Sequence, residues 1–182
     1  MVPLGEVPGI VPKSIAAHIL GYLNVNAEVL SPLRHPDYAY DPRRLQYNAG
    51  AVLKALESHS FGRYEKVIGV LDVDLFVPIF TYVFGEAKQG GKYALVSLNR
   101  LRKGHGEGAF VPEPIYLERA AKVALHELGH LYDLHHCSDS RCLMHFSGGL
   151  EYLDRIPLYF CRYCSVFMRD ALSRPRHRRS KG

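Results

Sequence analysis

Residues 126–136 read HELGHLYDLHH, and they close a run from Ile115 to Leu131 made largely of good helix formers. Two histidines four residues apart on a helix lie about 40° apart around its axis, so His126 and His130 can both reach one ion. The same arithmetic places Ala121, Ala124, Leu125 and Leu128 on one face and Val123, His126, Glu127 and His130 on the opposite one. Such a helix packs on a sheet and still presents a site. Glu127 is too far around to share the ion with the two imidazoles, yet it is placed to accept a hydrogen bond from water held at the metal.

An open zinc site needs a third protein ligand. His136 completes the spacing HExxHxxxxxH, and it reaches the other two only if the chain turns sharply near Asp133. Its neighbour His135 is one alternative, and Glu151, the ligand a glutamate-type zinc protease would use, is another. All four cysteines of the chain follow closely: Cys137, Cys142, Cys161 and Cys164, spaced C-x4-C, eighteen residues, then C-x2-C. That is the spacing of a four-thiolate zinc site. An iron–sulfur cluster has compatible ligands, and two disulfides would suit an exported chain. Met1 to Ile10 lacks the basic start of a secretion signal, and no uncharged apolar run approaches the ~20 residues of a membrane span, so the expectation is a cytoplasmic chain with reduced thiols.

Upstream of the metal motif the pattern is mixed α/β. Lys13 to Leu23 has helical spacing, Asn26 to Leu30 reads as a short strand, and residues 31–42 are a loop with three prolines. Asp41-Pro42 reads as a helix start, with Leu45, Ala49, Val52 and Leu56 forming its stripe as far as Ser58. Lys66 to Val73, almost continuous in Val, Ile and Leu, predicts a central strand covered on both faces. Tyr82 to Glu86 and Lys92 to Asn99 are further strands, the latter read as an edge for an extended peptide. Arg102 to Pro114 has no period and reads as a surface connection or lid.

With 182 residues, 47% of them apolar, the chain has material for one compact domain or two small lobes sharing a cleft. The net charge of +5 is a local matter. Arg174, Arg176, Arg178, Arg179 and Lys181 supply the whole excess, and the remainder is balanced at 18 basic against 18 acidic residues. This argues against a dedicated nucleic-acid face and for a solvated basic tail.

The run HELGHLYDLHHCSDSRCLMHFSGGL (126–150), followed by CRYC (161–164), resembles the extended signature of the archaemetzincins, metzincin-type zinc metalloproteases that add four cysteines to a three-histidine motif. Weaker resemblance runs through PLGEV (3–7), DPRRLQYNA (41–49), LDVDLFVP (71–78) and FGEAK (84–88), covering most of the chain up to about Cys164. The resemblance implies an α/β, metzincin-like fold: a twisted, mixed but mainly parallel sheet with helices, plus a small zinc-stapled C-terminal lobe. Residues 1–173 would form one catalytic domain, with lobes of about 1–136 and 137–173, and 174–182 the flexible tail. By similarity His126, His130 and His136 bind catalytic zinc, Glu127 is the general base and acid, Met144 is the methionine of the turn beneath the metal, and Cys137, Cys142, Cys161 and Cys164 hold a second, structural zinc. Met144 taken alone would be a core residue. The implied activity is hydrolysis of peptide bonds in a peptide or protein substrate, as an endopeptidase or an aminopeptidase.

Two residues depart from the pattern. Asp133 stands where metzincins have glycine, at the turn towards the third ligand, and a left-handed Asp costs ~1 kcal/mol more than Gly. Phe146 stands where some metzincins have tyrosine near the metal. Both favour the alternative of a zinc-containing module that binds peptide or protein without cutting it, whereas Glu127 favours an enzyme, since a site that only holds zinc needs no base. Oligomeric state is not legible in this sequence.

Overall fold

A computed structural model describes residues 1–104, 106, 108–145 and 148–173; Phe146 and the tail 174–182 lie outside the described residues. Four strands form the main sheet in the order β1 (Val2–Leu4), β4 (Val67–Leu71), β7 (Tyr93–Ser97), β6 (Gly85–Ala87). The first three are parallel, and β6 closes one edge antiparallel to β7, with Gly85 opposite Val96 and Ala87 opposite Ala94. β4 is VIGVL, buried along its whole length, as a strand covered on both faces must be. A smaller sheet joins β2 (Tyr40–Asp41), β3 (Gln46–Asn48) and β5 (Leu75–Phe76).

Helices cover both faces of the main sheet. On one face α1 (Ile10–Leu23) and α3 (Glu113–Leu131) enclose Ile68, Val70, Ala94 and Val96. On the other, α2 (Ala49–Ser58) covers Val67, Leu71 and Leu95 with Val52 and Leu56. Alternation along β4 and β7 therefore feeds two cores from one pair of strands. Helix α3 is buried over most of its circumference, because α1, β6, β7 and α4 (Leu150–Arg155) all pack against it. Arg119, 1% exposed, ties the start of α3 outward: it forms a two-bond pair with Asp154 at 2.7 Å and donates to the carbonyls of Leu101 and Lys103.

Several expectations need correcting. The helix read from Pro42 begins only at Ala49, capped by Asn48, whose side chain accepts from the Ala51 N–H at 3.0 Å. Residues 40–48 are instead a hairpin: Asp41 accepts from the N–H groups of Arg43 and Arg44, and Leu45, at φ 55°, points to solvent. Asn26 to Leu30 forms no strand; Leu30 N–H donates to Met1 O beside β1. The strand placed at Lys92–Asn99 lies inside the sheet, and the edge is β6. After His136 the chain holds α4 and α5 (Arg162–Ser173). Among the described residues no helix is long and apolar enough to cross a membrane.

Candidate metal centres and cleft

Helix α3 ends one residue after His130, and the manner of its ending builds the site. Asp133 N–H donates to His130 O and Leu134 N–H to Gly129 O, both at 3.0 Å, with Asp133 at φ 70°. This pair of bonds around a left-handed residue is a Schellman stop. It supplies the sharp turn the spacing demanded, with aspartate in the position glycine usually takes. The chain reverses, and His136 returns to the two helical histidines.

The imidazole Nε2 atoms meet: His130 lies 3.0 Å from His126 and 3.2 Å from His136. The ligand atoms of all three fall within 4.8 Å of one another. Carbonyl oxygens, which only accept, fix the tautomers: His126 Nδ1–H donates to Leu143 O and His130 Nδ1–H to Leu134 O, each at 2.8 Å. The Nε2 lone pairs of His126 and His130 therefore face each other with no proton between them, a donor set matched by a cation and by little else. Burial pushes the His126 pKa down to about 3, overriding the Leu143 hydrogen bond, and depresses those of His130 and His136, so all three are held in the neutral form a metal requires. His135 and Glu151 stay out of this group; Glu151 sits on α4, 3.9 Å from Arg155.

Glu127 points inward beside the histidines and is 7% exposed. Burial, reinforced by the negative charge of Glu86, raises its pKa well above the usual carboxylate range. Its room comes from Gly85 on β6, where a Cβ would lie 2.5 Å from Glu127 Oε1. Gly129 plays the same part for the methionine: a Cβ there would lie 2.5 Å from Met144 Sδ, and Met144 is fully buried beneath α3.

The four thiols form a second group, their Sγ atoms also within 4.8 Å of one another. Cys137 and Cys161 are 3.8 Å apart, far beyond a disulfide bond, and all four are free. Backbone N–H groups of Met144 and Cys161 donate to Cys142 Sγ at 3.4 and 3.3 Å; burial raises the Cys142 pKa, and these two bonds oppose it in the sense that favours thiolate. Cys161 and Cys164 flank the start of α5, whose N-terminal partial charge acts in the same sense. Sequence reasoning missed His145, which donates from Nδ1 to Cys137 O at 2.8 Å and buttresses the join between the two groups.

Above the histidines a cleft of about 550 Å³ runs between the segment Phe80–Ala87, which includes β6, and the residues Leu153 and Ile156. His126, Glu127, His130 and His136 line it as well. A polar network holds the cleft-lining segment at Phe80 and Thr81. Arg100 forms a two-bond pair with Asp74 at 2.6 Å, Gln46 bridges Asp74 to Thr81 O, and Arg44 donates to the carbonyls of Phe80 and Thr81. Arg44 and Gln46 come from the stretch DPRRLQYNA and Asp74 from LDVDLFVP.

The family model for peptidase family M54 matches residues 26–170, a span that contains both the three histidines and the four cysteines. This chain belongs to peptidase family M54. Archaemetzincin of Methanopyrus kandleri is 37% identical over 158 residues, covering 86% of this chain and 85% of the relative. Its crystal structure superposes with a TM-score of 0.79 at 35% identity, covering 95% of each chain. The structure of a zinc-dependent peptidase from Methanocorpusculum labreanum gives a TM-score of 0.80 at 26% identity, covering 92% of this chain and all of that one. The family member described here is accordingly a zinc metallopeptidase, with the mixed α/β fold of the archaemetzincin structures.

Proposed function

We propose that the chain hydrolyses peptide bonds in the cleft above the three histidines, with His126, His130 and His136 as ligands of a catalytic zinc and Glu127 as general base and acid. The carrying observation is the convergence of three neutral imidazoles, two of them on the helix that also carries the buried carboxylate. Zinc bound there supplies a Lewis acid that makes water nucleophilic near neutral pH and polarises the scissile carbonyl. Glu127 takes the proton of the attacking water at its carboxylate and returns it to the leaving amine; its raised affinity for protons suits a group that must hold one between the two steps. Met144 forms the floor below the imidazoles. Edge strand β6 offers unpaired backbone groups along the cleft, where an extended substrate adds as a further strand. Cys137, Cys142, Cys161 and Cys164 hold a second, structural zinc, so that residues 1–173 act as one metzincin-like catalytic domain with its lobes divided near His136.

Metal counting tests this reading. Purified protein should carry two zincs per chain; His126→Ala should lose one and keep the fold, and Glu127→Gln should keep both while peptide cleavage falls by ~10² or more. A single zinc insensitive to His126→Ala would end the catalytic assignment. Two zincs with no cleavage across a broad peptide library would favour the binding module instead.

A further inference from the structure

The hairpin that leaves the edge strand, residues 88–92, reaches back to the turn between the second and third histidines. Gln89 Nε2 donates to Asp133 Oδ1 at 3.1 Å and to Leu134 O at 3.2 Å. Leu134 O is also the acceptor that fixes the His130 tautomer, at 2.8 Å. Next to it, Gly90 N–H donates to His130 O at 2.9 Å. From the residue just before β4, Lys66 Nζ joins the same two segments by donating to Leu131 O at 2.6 Å and to Gly91 O at 2.8 Å. The turn that delivers His136 is thus held from outside by the loop that follows β6.

This arrangement gives Asp133 a reason. Backbone geometry at φ 70° suits glycine better than any residue with a side chain, so an aspartate there forfeits stability unless its carboxylate is used. It is used, by Gln89. We propose that Gln89 and Asp133 are positioning residues of the three-imidazole centre: the amide of Gln89, shared between the Asp133 carboxylate and the carbonyl that orients His130, holds the turn in its metal-binding form and couples edge strand β6 to it. Residues that orient metal ligands in this indirect way commonly change metal affinity by 10–100-fold when removed, and the solvent exposure of this pair points to the lower end of that range.

The inference rests on the reading of the histidines as zinc ligands, and the experiment separates the two. Zinc-loaded full chain is mixed with a chromophoric chelator, and the release phase that His126→Ala abolishes is taken as the histidine site. Gln89→Ala and Asp133→Gly should each release that zinc about tenfold faster. The double variant should be no faster than Gln89→Ala alone, which already removes the bond between the pair. Asp133→Asn, which keeps an acceptor and tolerates the left-handed turn, should stay near the wild-type rate. A role limited to shaping the backbone predicts the reverse for Asp133→Gly, because glycine fits the turn best. Wild-type release rates in Asp133→Gly or in Gln89→Ala would overturn the proposal. Absence of any His126-dependent phase in the wild type would overturn the zinc-site reading itself, and this proposal with it.

Discussion

Gly129 lies between the two helical histidines, and its missing side chain sets how closely the chain below can approach. A methyl group there would stand 2.5 Å from Met144 Sδ, with Met144 fully buried and unable to retreat into solvent. Gly129→Ala should therefore cost ~1–3 kcal/mol in urea unfolding, as overpacking of a tight core does, despite the better helix propensity of alanine. A rise in stability would show that the floor under the imidazoles is looser than described. The pair His135 and His136 gives a second check at this scale. On the proposed reading His136→Ala strips the histidine-site metal and His135→Ala leaves it; elemental analysis of the two proteins decides. The reverse result would mean that the turn at Asp133 runs another way. Spacing alone left both histidines open, and only the Schellman bonds from Asp133 and Leu134 separate them.

At the scale of elements, the loop over the cleft depends on Asp74. Burial by itself would raise the Asp74 pKa, but hydrogen bonds from Arg100 and Gln46 and the guanidinium charge outweigh it and hold it below its usual value of 3.8. A folded pKa lying under the unfolded one contributes stability that is fully present above about pH 4 and is lost as pH falls through the depressed folded value. The stability gap between wild type and Asp74→Asn should thus be open at pH 7 and narrow as the pH falls below 4; a gap independent of pH would remove the ion pair as its cause. Elements were legible in the sequence where one periodicity dominated. Val67–Leu71 and the helix ending at Leu131 fall where the hydrophobic pattern puts them. Leu45 misled because it fits a helical stripe while a capped hairpin takes its segment. Strand β1 was hidden by its three residues and by Pro3, which is tolerated only because β1 is an edge. In α5 the inward stripe Cys164, Met168 and Leu172 has helical spacing, but its first member reads first as a ligand.

Across the whole molecule, on the proposed reading, the three histidines and the four cysteines differ in what they contribute to folding. The thiols join α5, which offers only Met168 as a fully buried side chain, to the segment that follows the histidines. Prolonged chelation should therefore melt the C-terminal segment first, seen as faster amide exchange in residues 137–173 while β4 and β7 stay protected, and Cys161→Ser should mimic it. Uniform exchange throughout would show one cooperative unit with no separable part. Deleting residues 174–182 should bring the isoelectric point from about 9.0 towards neutrality and leave both metals in place. His136 and Cys137, members of the two groups, are joined by a single peptide bond. On the proposed reading, an ion that seats the thiolates also restrains the third imidazole, and the ion that follows meets less disorder to overcome. On a zinc-starved chain this neighbourly bond becomes a timetable. Titration followed by native mass spectrometry should show a one-metal form, indifferent to His126→Ala, filling almost completely before any two-metal form accumulates.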